Sequence, residues 1–184
     1  MASLRKASSY SRKKVRPYTR KSSRKDKAYI RAVPFSKIVK FSTGDVQGRN
    51  SGKYKYAVKL ISKEKVQMRD NSIEACRMLI TKQMDKHLPG NYYLSVKIYP
   101  HHILRENKLA AGAGADRLSS GMRHSFGITV GRAAIISPGK EVFIILCADE
   151  KGARIARDTL TMVKSKTPCK STIRIEKLAG DPSK

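Results

Sequence analysis

Residues 137–147 read SPGKEVFIILC, and the fold turns on them. Ser137, Pro138, Gly139 and Lys140 are turn chemistry, since proline presets one backbone angle and glycine accepts conformations other residues avoid. The stretch that follows, EVFIILC, is a nearly continuous apolar run suited to a central strand. Upstream, residues 126–130 alternate around Ile128 and residues 133–136 extend that pattern, so the turn is expected to close a hairpin. Further out, residues 92–98 (YYLSVKI) alternate cleanly, with Leu94, Val96 and Ile98 on one face and Ser95 and Lys97 on the other. Residues 37–41 (KIVKF) and 55–61 (KYAVKLI) alternate like half-buried strands, and 42–53 (STGDVQGRNSGK) between them is loop chemistry. Residues 70–87 have helical spacing: Ile73, Cys76, Ile80 and Met84 make one stripe, Asn71 with Glu74 has the form of a capping box, and Pro89-Gly90 ends the pattern. A second helix is predicted from Asp149, a good cap, to Lys164, with Ala153, Ala156, Leu160 and Val163 inward. Residues 172–177 close with Ile173 and Ile175. Strands and helices mixed in this way predict an α+β fold, a mostly antiparallel sheet system with two packed helices, a long internal loop and a basic N-terminal extension.

The charge is as informative as the pattern. Forty Lys and Arg against fourteen Asp and Glu leave +26 on 184 residues. Self-repulsion of that size opposes compaction unless a polyanion neutralises it, and a polyphosphate does so by releasing condensed counterions. Residues 1–27 hold eleven basic side chains and one acid, Asp26, and the remainder is basic too, with 29 cations against 13 acids. The charge is therefore not an appended tag. About 150 residues make one ordinary domain, and 40% apolar residues permit a real core. Cys76, Cys147 and Cys169 are odd in number and far apart; the first two sit in apolar periodic stretches and are expected to be buried thiols, with no metal-ligand spacing among the three. There is no apolar run long enough to span a membrane.

Residues 1–27 form the first segment, with no hydrophobic period and with Tyr10, Pro17 and Tyr18 interleaved among Arg12, Lys13, Lys14, Arg16, Arg20, Lys21 and Arg24. Alone in water such a segment cannot bury enough to offset its chain entropy, and it is suited to folding along phosphates and stacking on bases. Its Ser- and Arg-rich composition is also that of a transit peptide, but it lacks an apolar helical stripe, so it is expected to be a permanent part of a cytosolic protein. Residues 28–178 make the globular domain and 179–184 a short tail. Within the domain, residues 101–125 (HHILRENKLAAGAGADRLSSGMRHS) are expected to be a long loop, thin at its Ala and Gly centre (Ala110, Ala111, Gly112, Ala113, Gly114 and Ala115) and flanked by Arg105, Lys108, Arg117 and Arg123. Small residues keep a chain narrow, and cations at its shoulders hold its base against phosphate.

Three enzyme-like features are weak. Gly112-Ala113-Gly114 lacks the third glycine of a dinucleotide fingerprint, and GRNSGK at 48–53 is one residue short of a phosphate-binding P-loop; its Arg49 and Lys53 fit phosphate contacts better. His101 or His102 with His124 would suit acid–base cleavage of RNA, yet adjacent residues of a strand point to opposite faces, so at most one joins His124.

HILRENK at 102–108 followed by AGADRLSSGMR at 113–123 resembles the archaeal and eukaryotic branch of the universal large-subunit ribosomal protein sixteen family, called "ten-e" in archaea. RPYTRK at 16–21, RAVPFSKIVKFSTGD at 31–45 and RDNSIEACRMLITKQM at 69–84 resemble it as well, so the likeness covers nearly the whole chain. The N-terminal arm and the short tail after Leu178 are similar to the archaeal form. The resemblance implies an α+β sandwich in a cleft of the large-subunit rRNA, between the 5S rRNA region and the peptidyl-transferase centre, among neighbouring ribosomal proteins in the cytoplasm. It implies no catalysis, and no cofactor, metal, membrane or homo-oligomer is expected. It places Arg105, Asn107, Lys108, Gly114, Asp116, Arg117, Met122 and Arg123 in or at the base of a loop that faces tRNA. Two rivals remain on the residues alone, an RNA nuclease using the histidines and a chromatin-like DNA packager.

Overall fold

The computed structural model describes residues 11, 30, 32–107, 122 and 125–178. The elements run β1 (Ser42–Gly44), α1 (Val46–Asn50), β2 (Tyr56–Ser62), β3 (Val66–Arg69), α2 (Asp70–His87), β4 (Tyr92–Val96), β5 (His102–Glu106), β6 (Ile128–Ile136), β7 (Glu141–Cys147), α3 (Glu150–Lys164) and β8 (Ser171–Lys177). The fold is α+β, and every strand pairing is antiparallel. Five strands form one sheet in the order β1-β4-β7-β2-β8, and three form a second in the order β3-β6-β5.

The apolar run at 142–147 earns its central place in the larger sheet. Val142, Phe143, Ile144 and Ile145 are all buried, and each side chain taken from water contributes roughly 1.5–3 kcal/mol. Register then sets the core face: Phe143, Ile145 and Cys147 lie opposite Val96, Leu94 and Tyr92 on one side and opposite Leu60, Val58 and Tyr56 on the other. Against this face pack α3, through Ala153, Ala156, Leu160 and Val163, and α2, through Ile73, Cys76, Ile80 and Met84. Both helical stripes are buried as their spacing predicts. Met68, Ala134 and Ile136 of the smaller sheet join the same core.

Five expectations need correction. The turn at 137–140 does not close a hairpin, because β6 belongs to the smaller sheet and β7 to the larger. Its hydrogen bonds go to the end of β2 instead: Gly139 donates its N–H to the Ser62 carbonyl (2.8 Å), and Ser62 donates to that of Lys140 (3.0 Å). The chain is thereby steered from one sheet to the other. Residues 37–41 are not a strand; Lys37 and Val39 donate their N–H groups to the carboxylates of Asp70 (3.1 Å) and Glu74 (3.3 Å), and pairing with β4 begins only at Phe41, whose carbonyl accepts the Val96 N–H (2.8 Å). The strand lies just beyond, at β1, and α1 follows it inside the stretch expected to be loop. Nor does Glu74 complete a capping box: Arg77 and the Val39 N–H engage its carboxylate, and α2 begins after Arg69 without a side-chain cap. Finally, the expected loop at 101–125 opens with a strand, β5, whose residues His102, Ile103, Leu104, Arg105 and Glu106 pair with β6. Asp149 stands at the start of α3 as expected, although only its backbone carbonyl caps, accepting the Ala153 N–H (3.0 Å).

Candidate nucleic-acid interface

Arg49, on α1, and Lys53, just after it, are organised by Tyr93 and Asp45 respectively. This aspartate starts α1 by accepting the Gly48 N–H at 2.7 Å, which holds its carboxyl below the usual range, and the nearby positive charge of Lys53 acts the same way. The Lys53 ammonium stands 3.7 Å from the same carboxylate and donates to Asn91 Oδ1 at 3.2 Å. Arg49 donates from Nη1 to the Tyr93 hydroxyl (2.8 Å), with its guanidinium carbon 5.0 Å from that ring's centre. Tyr93 in turn donates to Ser42 Oγ at 2.9 Å. Both cations are exposed, so each is pre-positioned at the β1–β4 edge while its outer face stays open to an anion. By contrast Lys59, on the outer face of the larger sheet, is held by Glu141 (3.0 Å) and Glu176 (2.6 Å).

Arg105 has a different place from the one expected. It belongs to β5 rather than to a flexible shoulder, and its guanidinium carbon sits 3.5 Å from the centre of the Phe126 ring while Nη1 donates to the Phe126 carbonyl (3.0 Å). A cation over an aromatic face is worth about 0.5–1 kcal/mol at an exposed site. Arg105 thus closes the base from which residues 108–124 depart, and Asn107 lies half-buried beside it. Met122 is 70% exposed. Arg12, Lys13, Lys14, Arg16, Arg20, Lys21, Arg24, Lys108, Ala110, Ala111, Gly112, Ala113, Gly114, Ala115, Asp116, Arg117, Arg123 and His124 lie outside the described residues.

The nuclease constellation loses its anchor. His102 is buried, and that burial, reinforced by Arg105, lowers its pKa to about 4, leaving it neutral at physiological pH and a poor proton carrier. His101, just before β5, is exposed, and its ring tilts against Tyr99 with centroids 4.5 Å apart. Burial likewise pushes the thiols of Cys76 and Cys147 up to about 12, which suits inert core residues. Among the described residues no cluster of His, Cys, Asp or Glu is arranged to hold a metal ion, and no helix is long and apolar enough to cross a membrane.

Pattern reading missed Arg132 altogether. From β6 it donates through Nε to the Pro34 carbonyl (2.7 Å) and through Nη1 to the Tyr99 hydroxyl (3.3 Å), joining the segment before β1 to an aromatic group in which Tyr99 stacks on Phe41 with centroids 5.4 Å apart. The only hint in the sequence is a lone arginine within an otherwise small and apolar strand.

The sequence profile of the ribosomal protein L16p/L10e family matches residues 14–174. Among its relatives is the large ribosomal subunit protein uL16 of Archaeoglobus fulgidus, 38% identical over 167 residues that span 90% of each chain. Its counterpart in Staphylothermus marinus is 40% identical over 171 residues, 92% of each chain. That of Hyperthermus butylicus is 42% identical over 160 residues, 86% of this chain and 83% of the relative.

Proposed function

The chain belongs to the ribosomal protein L16p/L10e family, and on that premise we propose that it is a structural component of the large ribosomal subunit that binds rRNA near the peptidyl-transferase centre and the 5S rRNA region and helps position tRNA. Proteins of this family are parts of a particle and not enzymes. The observation that carries the reading is the distribution of the +26 charge, which is shared between arm and domain and so suits a chain embedded in RNA along its whole length.

In this reading residues 1–27 thread between rRNA helices through Arg12, Lys13, Lys14, Arg16, Arg20, Lys21 and Arg24. Residues 28–178 are the rRNA-docking domain, with Arg49 and Lys53 on phosphate, and 179–184 are a short tail. The loop with Asn107, Lys108, residues 110–115, Asp116, Arg117 and Arg123 faces tRNA, and Arg105 supports it from β5 by gripping Phe126. Neighbouring ribosomal proteins complete its surroundings in the cytoplasm, and the protein acts as a single copy.

Sedimentation of the tagged protein through a sucrose gradient tests this directly: it should travel with the large subunit. In vitro, affinity for a large-subunit rRNA fragment should fall roughly 10³–10⁵-fold between low and moderate salt, as expected for some six to ten phosphate contacts. A flat salt response, or a protein that stays at the top of the gradient, refutes the proposal. Equal affinity for duplex DNA without co-sedimentation would favour the packaging rival.

A further inference from the structure

We propose that Phe35 is a stacking platform for one unpaired RNA base, a contact that rests on the ribosomal reading and specifies it further. Phe35 is 96% exposed. Burying such a ring ordinarily contributes roughly 1.5–3 kcal/mol, a gain the free protein forgoes. Its exposure is not slack, because the backbone on either side is pinned. Before it, the Pro34 carbonyl accepts from Arg132 Nε (2.7 Å). After it, the Lys37 and Val39 N–H groups are held by Asp70 and Glu74, and Ile38 between them is sunk into the main core at 6% exposure. The Glu74 carboxyl is kept below its usual range chiefly by Arg77, with the Val39 N–H adding to it, so this clamp is ionised at neutral pH. The chain therefore presents the ring outward from a fixed mount.

The chemistry around the mount selects the partner. Lys37 and Lys40 are exposed on the same segment, and Arg132 ties the segment to the Phe41–Tyr99–His101 group, where Tyr99 is 44% exposed. A bare aromatic face beside cations fits a ligand that is flat and anionic at once, which is a nucleotide with its base free. A purely apolar protein groove has no use for the lysines, and paired bases inside a duplex offer no face to stack on. Base–aromatic stacking is sequence-tolerant and strong enough to matter on its own.

The test uses the full chain with two probes, a short single-stranded oligoadenylate carrying one 2-aminopurine and a duplex RNA of equal phosphate number. Wild-type protein should quench the 2-aminopurine. Phe35→Ala should bind the single strand roughly tenfold more weakly, the scale of one lost stack, with an unchanged salt slope and unchanged duplex affinity. Phe35→Trp should retain binding, and since the side chain is exposed neither change threatens folding. The inference is overturned if Phe35→Ala binds the single strand as wild type does, or if Phe35→Leu binds it as tightly as wild type, which would mark a plain apolar contact with the RNA in place of a stack. The two readings fail separately: salt-insensitive binding by the wild type sinks the ribosomal reading, whereas a steep salt response indifferent to Phe35→Ala sinks the stack alone.

Discussion

Replacing Gly44 with alanine should be far more damaging than the same change at Gly139, although both glycines have positive φ, +96° and +80°. An L side chain in that region costs about 1–2 kcal/mol, offset by roughly 0.4–1 kcal/mol because alanine restricts the unfolded chain. At Gly139 a new Cβ meets nothing within 4 Å, so the net loss should stay near or below 1 kcal/mol. At Gly44 it would lie 2.3 Å from the Tyr92 carbonyl oxygen, and backbone cannot swing aside as a side chain can. β1 must retreat from β4, straining the 2.9 Å bond from the Asp45 N–H to that same carbonyl. Overpacking of this kind costs about 1–3 kcal/mol and the weakened hydrogen bond about 1 more, which with the positive-φ cost makes a total of about 4 kcal/mol. Urea unfolding of both variants, in enough salt to damp the self-repulsion of a +26 chain, measures the difference. The displacement also moves Asp45 and with it Arg49 and Lys53, so rRNA affinity should fall for Gly44→Ala and hold for Gly139→Ala. Equal urea midpoints for the two variants would refute the close approach of β1 to β4 and the placement of the two cations that depends on it.

Deleting residues 110–115 should leave the urea midpoint and rRNA docking within experimental error while slowing tRNA-dependent steps, because the β5–β6 pairing and the Arg105–Phe126 grip close the loop base independently of its tip; a deletion protein that unfolds would overturn this. Acid should destabilise the protein partly through His102. Its folded pKa, lowered to about 4, lies below the ordinary value near 6.5, so the unfolded chain takes up the proton first and stability drops as pH falls from about 6.5 towards 4. Between pH 7 and 5 this contributes a loss on the order of 1–2 kcal/mol, and His102→Gln should show a correspondingly shallower decline; an identical decline would reject the assignment. Alkylation of native protein at neutral pH, followed by mass spectrometry, should modify half-buried Cys169 first and reach Cys76 and Cys147 only as the chain unfolds, since both are buried and their thiols are held near 12. Labelling of Cys76 as fast as Cys169 would contradict that core.

The sequence by itself determined the two long helices and the central strand. The 3.6-residue spacing of Ile73, Cys76, Ile80 and Met84, and that of Ala153, Ala156, Leu160 and Val163, fits helices, and the run from Val142 to Cys147, short, rich in β-branched and aromatic residues and preceded by a Pro-Gly turn, fits a strand covered on both sides. The total charge and its spread, and hence the polyanionic partner, are also sequence properties, since they do not depend on where the chain goes. What tertiary structure alone decided is where backbone hydrogen bonds are completed. Residues 37–41 alternate like a strand, yet Lys37 and Val39 surrender their N–H groups to carboxylates that lie more than thirty positions away, on α2. The turn at Gly139 bonds to Ser62 of β2 and so separates two strands that adjacency would have paired. In β5, His102, Ile103 and Leu104 are buried on both faces, so the alternation that would have revealed a strand is absent. Arg105 becomes a clasp on Phe126 only when the approach to β6 brings that ring beside it, and the flanks of exposed Phe35 are fixed by Arg132, Asp70 and Glu74. Local periodicity records which side of an element is dry; the partners of its polar backbone are chosen by neighbours distant in sequence, and that choice is legible only in three dimensions.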